Sequence, residues 1–342
     1  MATPATGTHL TPERIFNALN AHEQTAALLT AIELDIFTAI GAGANTAAAI
    51  AAKTGAAEKG ARVLCDFMTV HGFLTKDRGT YALTQESAFF LDRKSPACVA
   101  SMAGFLGSKQ TRARFDALTQ AVLKGGSVWS QGDNTKPNDE FWVTFARSMA
   151  PLAAPSSQFI GALLRAEEGR PCKVLDIAAG HGMYGITIAT KNPKAEIVAL
   201  DWPNVLSVAL ENAQKFGVAD RFSVRAGSAF EVEMGSGYDY VLLTNIFHHF
   251  DVPTCEKLMR RVHAALKPGG KAVTLEFVPN EDRVSPPTAA AFSLIMLANT
   301  DAGDAYTFSE YEKMFRNAGF ARSELHPVPD MPQRVIVSEK SA

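Results

Sequence analysis

The feature that most constrains this fold is a short apolar run that breaks into glycines. Residues 174–178 are apolar apart from one acid, Asp176, and a turn containing Gly180 and Gly182 follows them. Glycine lets the backbone turn sharply and lets a ligand lie against bare main chain. The residues from Met183 onward predict a helix, whose first N–H groups lack partners within the helix and face the turn. The run therefore predicts a strand, a tight turn and a helix arranged around a ligand.

A second strand and a second acid indicate the chemistry of that ligand. The segment 196–200 predicts a strand, and it ends in Asp201, a carboxylate placed to accept hydrogen bonds from both hydroxyls of a ribose. Gly180, Gly182 and Gly185 also satisfy the dinucleotide fingerprint G-x-G-x-x-G, which alone has low specificity. Together, the turn and the acid one strand later predict a nucleoside-binding βαβ unit.

Length, charge and cysteine usage narrow the class of protein. The 342 residues suffice for two domains with cores, and a net charge of −2 argues against a nucleic-acid coat. The N-terminus has no basic start or apolar core typical of a signal peptide, and no uncharged run is long enough to span a bilayer. The four cysteines are scattered, so we expect them to be reduced. These features favour a cytoplasmic enzyme without membrane or nucleic-acid partners.

The N-terminal part of the sequence predicts a tail and a winged helix. Residues 1–10 are small, polar and unpatterned, which is typical of a disordered tail. Residues 11–92 combine helices with two short strands around an Asp-Arg-Gly turn at 77–79. Winged helices often bind DNA, but Lys59 and Arg62 are the cations that the second helix offers, and they are typical of a solvated face. We therefore expect a dimerisation domain, with a ligand-sensing DNA-binding regulator as the alternative.

Residues 93–168 predict a helical linker that also contributes to a substrate pocket. Phe141, Phe145 and Met149 fall on one helical face because they are spaced by four residues. Such a stripe belongs to a core more often than to a pocket. Its position just before the nucleoside-binding unit makes Phe145 and Met149 candidates for the pocket wall.

Residues 169–342 alternate between strand and helix patterns, which predicts a mostly parallel sheet covered on both faces. The last two predicted strands are joined by so short a connection that they must pair antiparallel. The strands are expected at 173–178, 196–200, 221–226, 239–245, 271–277, 323–327 and 334–338. The helices are expected at 183–191, 204–216, 252–266, 288–299 and 308–318.

Residues 173–338 resemble the class I S-adenosylmethionine-dependent methyltransferases. From about Thr11 the chain is similar to the small-molecule O-methyltransferases that carry an N-terminal winged-helix dimerisation domain. The resemblance implies an α/β fold with a Rossmann-like seven-stranded sheet, mostly parallel with an antiparallel last strand. It also implies a homodimer that uses S-adenosylmethionine, releases S-adenosylhomocysteine and needs no metal.

The motifs that carry the resemblance also imply a set of cofactor-binding residues. The glycine-rich motif at 176–182 would cradle the amino-acid end of the cofactor, and Asp201 would hold the ribose hydroxyls. Ser228 stands where the family usually has an acid. The implied cofactor-binding residues are Asp176, Gly180, Gly182, Asp201, Trp202, Ser228, Ala229, Phe230 and Thr244.

A second diagnostic stretch, at 243–250, supplies the implied catalytic residues. His248 matches the histidine that removes the proton from the acceptor hydroxyl, and Glu276 matches the carboxylate that orients it. His248 and its neighbour His249 are not expected to bind metal, because neighbours on an extended strand point to opposite faces. We expect His181 on the solvent side of the cofactor loop. The candidate substrate-binding residues are Phe145, Met149, His249, Met296, Asn299 and Tyr306.

The sequence therefore predicts a methyltransferase that methylates a hydroxyl of a small molecule. A thiol, amine or carbon acceptor stays open, because the cofactor half would look the same. A NAD(P)-dependent oxidoreductase is the rival enzyme class, which the antiparallel end of the sheet disfavours. The sequence does not identify the acceptor, nor whether a partner subunit contributes to the pocket.

Overall fold

A computed structural model describes residues 10–129 and 140–342 of the chain. The predicted tail, apart from Leu10, lies outside the described residues, as does the segment 130–139 of the predicted pocket region. The chain divides into two compact units after Gly107. Across the two described ranges, no helix combines the length and the apolar character needed to cross a bilayer.

The N-terminal unit contains the elements of a winged helix. Two consecutive helices precede a hairpin whose two-residue turn has Arg78 at φ 45° and Gly79 at φ 85°. Positive φ at both central positions is typical of the type I′ turn, whose twist matches that of paired strands. The core beneath the hairpin includes the buried side chains of Met68, Leu74 and Tyr81. The elements are α1 (Glu13–Leu19), α2 (Ala21–Glu33), α3 (Ile36–Gly41), α4 (Ala47–Thr54), α5 (Glu58–Val70), β1 (Leu74–Asp77), β2 (Thr80–Leu83), α6 (Gln85–Phe90) and α7 (Met102–Leu106).

The C-terminal unit is built on one sheet. Among the described residues its seven strands are β3 (Cys172–Ile177), β4 (Ala195–Asp201), β5 (Phe222–Ala226), β6 (Tyr238–Thr244), β7 (Leu266–Glu276), β8 (Arg322–Pro327) and β9 (Arg334–Glu339). They pair in the order β5-β4-β3-β6-β7-β9-β8. The first five strands are parallel, and β9 runs antiparallel between β7 and β8. The predicted fold class is confirmed.

Helices cover both faces of this sheet. Alternate residues of one strand enter different cores: Val174 packs with Ile186 of the helix after the glycine turn, whereas Leu175 packs with Leu258 on the opposite face. The helices are α8 (Lys109–Asp116), α9 (Leu118–Lys124), α10 (Glu140–Met149), α11 (Ala154–Leu163), α12 (Met183–Lys191), α13 (Pro203–Lys215), α14 (Val252–Ala265), α15 (Pro287–Asn299) and α16 (Phe308–Asn317).

The strand directions bring several loops to one edge of the sheet. Strands β3 to β7 are parallel and end together, at what we call the carboxyl edge. Both β7 and β8 run antiparallel to β9, so β8 also ends there, and the loop 328–333 lies at the same edge. In open α/β sheets this edge is where ligands bind. The sequence prediction did not include the loop 328–333 in the site.

Gly185 shows how closely α12 packs on the sheet. A Cβ atom at this position would lie 2.7 Å from Cγ2 of Ile197 and 3.2 Å from Oδ2 of Asp176. We expect Gly185→Ala to lower the free energy of unfolding by about 1–3 kcal/mol, because overpacking outweighs the better helix propensity of alanine. Denaturant titration of the whole chain measures this change.

Gly60→Ala is the matched control, since Gly60 lies within α5 and a Cβ atom there would meet no described atom within 4 Å. The control is expected to raise stability by about 0.4–1 kcal/mol. Equal stability of Gly185→Ala and the unsubstituted chain would contradict the close approach of helix and strand.

Candidate active site

A cavity of about 950 Å³ lies at the carboxyl edge of the C-terminal unit. Its volume is in the range of small-molecule sites, which are commonly 300–1,000 Å³. The cofactor and substrate candidates that line it are Phe145, Met149, Gly180, Asp201, Trp202, Ser228, Ala229, Phe230, Thr244, His249 and Asn299. The cavity therefore brings together candidates that are up to 154 residues apart in the chain (Phe145 and Asn299).

The glycine turn and Asp201 are joined by backbone hydrogen bonds. Gly180 and Gly182 adopt φ values of 58° and 72°, the left-handed conformation that glycine accepts without strain. Oδ2 of Asp201 accepts the N–H of Gly180 at 2.8 Å, and Oδ1 accepts the N–H of Trp202 at 2.7 Å. Each carboxylate oxygen keeps a further lone pair for a ligand hydroxyl. Burial raises the pKa of Asp201 to about 6 in spite of these two bonds.

Asp176 lies beneath the turn rather than in the cavity lining. Its Oδ2 accepts the N–H of Gly185 at 3.2 Å, and its Oδ1 has no hydrogen-bond partner within the described residues. Complete burial raises the pKa of this carboxyl to about 8. Asp176 is therefore largely protonated at neutral pH when no ligand is bound.

His181 is buried, so the prediction that it faces solvent is wrong. Its Nδ1 accepts the N–H of Met183 at 3.1 Å, and its carbonyl accepts the side-chain amide of Asn212 at 2.9 Å. Burial lowers the pKa of the imidazole to about 4, so the ring is neutral. The imidazole lines the cavity and lies 5.7 Å from the ring of Tyr184, so the site encloses it and it does not face bulk solvent.

The two implied catalytic residues meet in a buried hydrogen bond. Nδ1 of His248 lies 2.6 Å from Oε2 of Glu276, the last residue of β7, and both side chains are almost fully buried. The other carboxylate oxygen, Oε1, accepts the N–H groups of Phe247 at 2.9 Å and His248 at 3.4 Å. An ionised carboxylate can only accept, so Nδ1 of His248 is the donor in this bond, and in the neutral ring Nε2 keeps a lone pair.

His248 and His249 lie in a 3₁₀ turn after β6, not on an extended strand. Their rings are 4.3 Å apart, so the strand argument that separated them was wrong. The His248 ring is 5% exposed and contacts Phe292 edge-to-face at 4.9 Å, whereas His249 lines the cavity. Burial and the neighbouring His248 lower the pKa of His249 well below its ordinary value. No group of three potential ligands within residues 10–129 and 140–342 is arranged to hold a metal ion.

Two candidate substrate residues lie outside the cavity lining. Met296 is buried on α15, and the Tyr306 hydroxyl donates to the carbonyl of Phe250 at 2.7 Å while its ring packs edge-on against Tyr311. Both side chains belong to the protein interior, because the hydrophobic core competes with the pocket for apolar residues. Asn299 does line the cavity, and its Oδ1 accepts a hydrogen bond from Arg114 at 3.0 Å.

The cavity also contains residues that the sequence did not point to. Trp142 lies edge-on to His249 at 5.6 Å, and Tyr184, Asn245 and Gln333 contribute polar groups. Asn245 adopts φ 56°, a conformation that asparagine tolerates better than most residues. The asparagine at the end of the predicted strand was therefore a weak signal in the sequence. Tyr184 and Gln333 carried no signal in the sequence, because their roles depend on contacts between distant segments.

Comparison with known proteins agrees with this geometry. Residues 139–321 match the O-methyltransferase domain, and residues 16–93 match the O-methyltransferase dimerisation domain. The chain belongs to the S-adenosylmethionine-dependent O-methyltransferases, which confirms the family and the enzyme class predicted from the motifs. Membership of this family decides against the oxidoreductase alternative.

Three individual proteins illustrate the similarity. A crystal structure of a candidate O-methyltransferase from Nostoc punctiforme is 48% identical, with a TM-score of 0.93 over 97% of this chain and 100% of that one. The 3-hydroxy-5-methyl-1-naphthoate 3-O-methyltransferase of Streptomyces sahachiroi is 28% identical over 86% of each chain. Human N-acetylserotonin methyltransferase, solved in complex with S-adenosylmethionine, shares the fold at 21% identity and a TM-score of 0.85, over 99% of this chain and 100% of that one.

The raised pKa of Asp176 has a consequence for stability. Its folded-state pKa of about 8 exceeds the ordinary value of 3.8, so the unfolded chain loses this proton first and stability falls as pH rises from about 4 to about 8. The loss is at most about 1.4 kcal/mol per pH unit. We expect Asp176→Asn to remove this contribution, so that the variant gains stability over the unsubstituted chain as pH rises from 5 to 8. Thermal unfolding at several pH values without ligand measures the difference in stability between the variant and the unsubstituted chain. A difference that does not change with pH would contradict the protonated carboxyl.

Proposed function

We propose that this enzyme transfers a methyl group from S-adenosylmethionine to a hydroxyl of a small molecule, with His248 as the general base and Glu276 as its orienting carboxylate. The observation that carries the proposal is the buried 2.6 Å hydrogen bond between them, beside a cavity at the carboxyl edge. It is the arrangement that a base needs when one ring nitrogen must stay unprotonated.

The residues of the cavity fit the cofactor. Asp201 would accept the ribose hydroxyls, and the bare backbone at Gly180 would lie against the amino-acid end, with Asp176 supporting the turn from beneath. Phe230 and Phe250, edge-to-face at 5.1 Å, would bound the adenine together with Ser228. When bound, S-adenosylmethionine supplies a sulfonium methyl group that is already electrophilic.

The protein then has two tasks, which are positioning the acceptor and accepting its proton. The aromatic wall of Trp142, Phe145 and Phe277 would hold a planar acceptor and exclude water. Good positioning is worth about 7–11 kcal/mol of barrier reduction. Nε2 of His248 would accept the hydroxyl proton, and Glu276 would stabilise the imidazolium that forms. General-base catalysis of this kind typically raises the reaction rate by roughly 10²–10⁴-fold.

The same family relationship supports a homodimer formed through the N-terminal unit. The matching dimerisation domain covers residues 16–93. Helix α1 presents Ile15, Phe16 and Leu19 with more than half of each side chain exposed. A contiguous apolar stripe of this kind on a helix is typical of a surface that another chain covers.

The test of the mechanism is His248→Ala, measured with an acceptor found by screening aromatic alcohols, thiols and amines against labelled S-adenosylmethionine. We expect kcat to fall by roughly 10²–10⁴-fold because the general base is lost. The affinity for S-adenosylhomocysteine, measured by calorimetry, is expected to stay unchanged, because Asp201 and the glycine turn are intact. A product methylated on sulfur, nitrogen or carbon would contradict the hydroxyl acceptor.

Two further histidines serve as comparisons. His326→Ala, on β8 and away from the cavity, controls for histidine loss as such. His249→Ala is expected to affect KM more than kcat, because His249 lines the cavity beside Trp142. Unchanged turnover of His248→Ala, or a larger kcat loss in His249→Ala, would remove His248 from the role of base.

A further inference from the structure

We propose that Gln333 recognises the methyl acceptor: its side-chain amide hydrogen-bonds a second, neutral polar group of the acceptor, apart from the hydroxyl that is methylated. The inference rests on the proposed function, since it assigns a residue that selects among acceptors. The feature that carries it is the hydrogen bond to Asn245 that fixes this amide at the cavity wall.

Gln333 lies close in the fold to the implied catalytic pair. In the antiparallel pairing of β7 and β9, Arg334 stands opposite Glu276, so Gln333 lies next to Phe277 at the carboxyl edge. Gln333 is 9% exposed, and it lines the cavity together with Met331 and Pro332 of the same loop. The loop after β8 thus places the side-chain amide of Gln333 in a largely apolar part of the cavity wall.

A hydrogen-bonded relay holds that amide in place. Nε2 of Gln333 donates to Oδ1 of Asn245 at 2.7 Å. The Tyr184 hydroxyl is the next polar group of the wall, and Asn245 partly offsets the rise in its pKa that burial causes. The Tyr184 hydroxyl lies 3.2 Å from Oγ of Ser156, which donates to the carbonyl of Ala153 at 3.3 Å. The bond to Asn245 thereby fixes the orientation of the Gln333 amide.

Asn245 connects this relay to the base. It follows the last residue of β6, its backbone N–H donates to the carbonyl of Leu275 at 2.9 Å, and it adopts φ 56°. A non-glycine residue keeps this conformation only where the surrounding structure holds it there. The 3₁₀ turn that carries His248 begins two residues later. The relay and the base therefore share one rigid strand end, which sets the spacing between the second polar group and the methylated hydroxyl.

The chemistry of the amide limits the group that it can bind. The bond to Asn245 uses one N–H, so the other N–H and Oε1 remain for the cavity, and the amide can both donate and accept. No lysine or arginine is among the described residues that line the cavity. A carboxylate beside Gln333 would lose its hydration without gaining a cation, which is costly. A hydroxyl or a carbonyl is therefore the group that fits.

The position of Gln333 favours the acceptor over the cofactor. The glycine turn and Asp201 follow β3 and β4, whereas Gln333 precedes β9, separated from β3 by both β6 and β7. The half of the edge that carries Gln333 is the half that carries His248 and Glu276. The competing possibility is that Gln333 contacts the amino-acid end of the cofactor, and the experiment below distinguishes this from a contact with the acceptor.

The experiment compares two probes, 2-naphthol and 2,3-dihydroxynaphthalene, which differ by one neutral hydroxyl. The preference is the ratio of kcat/KM for the diol to that for the mono-alcohol, read from product mass. We expect the full-length enzyme to prefer the diol, and Gln333→Met and Gln333→Asn each to reduce the preference by about 3- to 10-fold, the value of one neutral hydrogen bond. Glu324→Gln, an exposed change on β8, controls for alteration of the hairpin.

Binding of S-adenosylhomocysteine by calorimetry provides the second readout, and its Kd is expected to be the same in all variants. An unchanged preference in both Gln333 variants, or a weaker Kd for S-adenosylhomocysteine, would overturn the assignment to the acceptor while leaving the proposed function intact. If the unsubstituted enzyme methylates neither probe but methylates other hydroxyl compounds without regard to a second polar group, the inference fails alone. If it methylates no hydroxyl compound, the proposed function fails and the inference falls with it.

Discussion

The site depends on how one buried carboxylate is satisfied. Glu276 has no solvent exposure, and its two oxygens accept the imidazole of His248 and the backbone N–H groups of Phe247 and His248. A buried charge is tolerated only when it is hydrogen-bonded in this way. The parallel register of β6 and β7, in which Thr244 stands opposite Leu275, brings the carboxylate under the turn. Gly303 closes the other side, because a Cβ there would lie 2.1 Å from the carbonyl oxygen of His248.

The carboxyl edge divides into two halves with different chemistry. Strands β3 and β4 lead into bare backbone and the carboxyl group of Asp201, which suits a ligand with hydroxyl groups. Strands β6 and β7 end, and β9 begins, beside imidazoles, amides and aromatic rings, which would suit the planar acceptor of the proposed function. The order of the strands places these halves side by side, as the proposed transfer from cofactor to acceptor requires.

Much of this fold could be predicted because the sequence signals are local. Gly182 in the left-handed conformation starts α12 at Met183, as the glycine turn indicated, and the short link before Arg334 forces the antiparallel pair. The start of β7 was missed by five residues, since Gly269 at φ 72° lets the strand continue through a turn-like segment. Local chemistry thus defines the elements well and their ends less well.

The site was less predictable because it depends on contacts between distant segments. The motif led to His248 and Glu276, but the 3₁₀ turn that carries His248 is held by Glu276, 28 residues away. Gln333 reaches Asn245 across 88 residues, a contact that no sequence spacing encodes. Met296 and Tyr306 have pocket-like residue types, yet the core takes them, because apolar character does not distinguish the two environments.

The central claim is that Glu276 keeps the hydrogen of His248 on Nδ1 and leaves Nε2 free to accept a proton. Nitrogen-15 NMR of the histidine rings at pH 8 reads the tautomer directly, with the His248 signals assigned by their loss in His248→Gln. The account predicts a protonated Nδ1 and an unprotonated Nε2 for His248. A His248 ring that carries its hydrogen on Nε2 would contradict it.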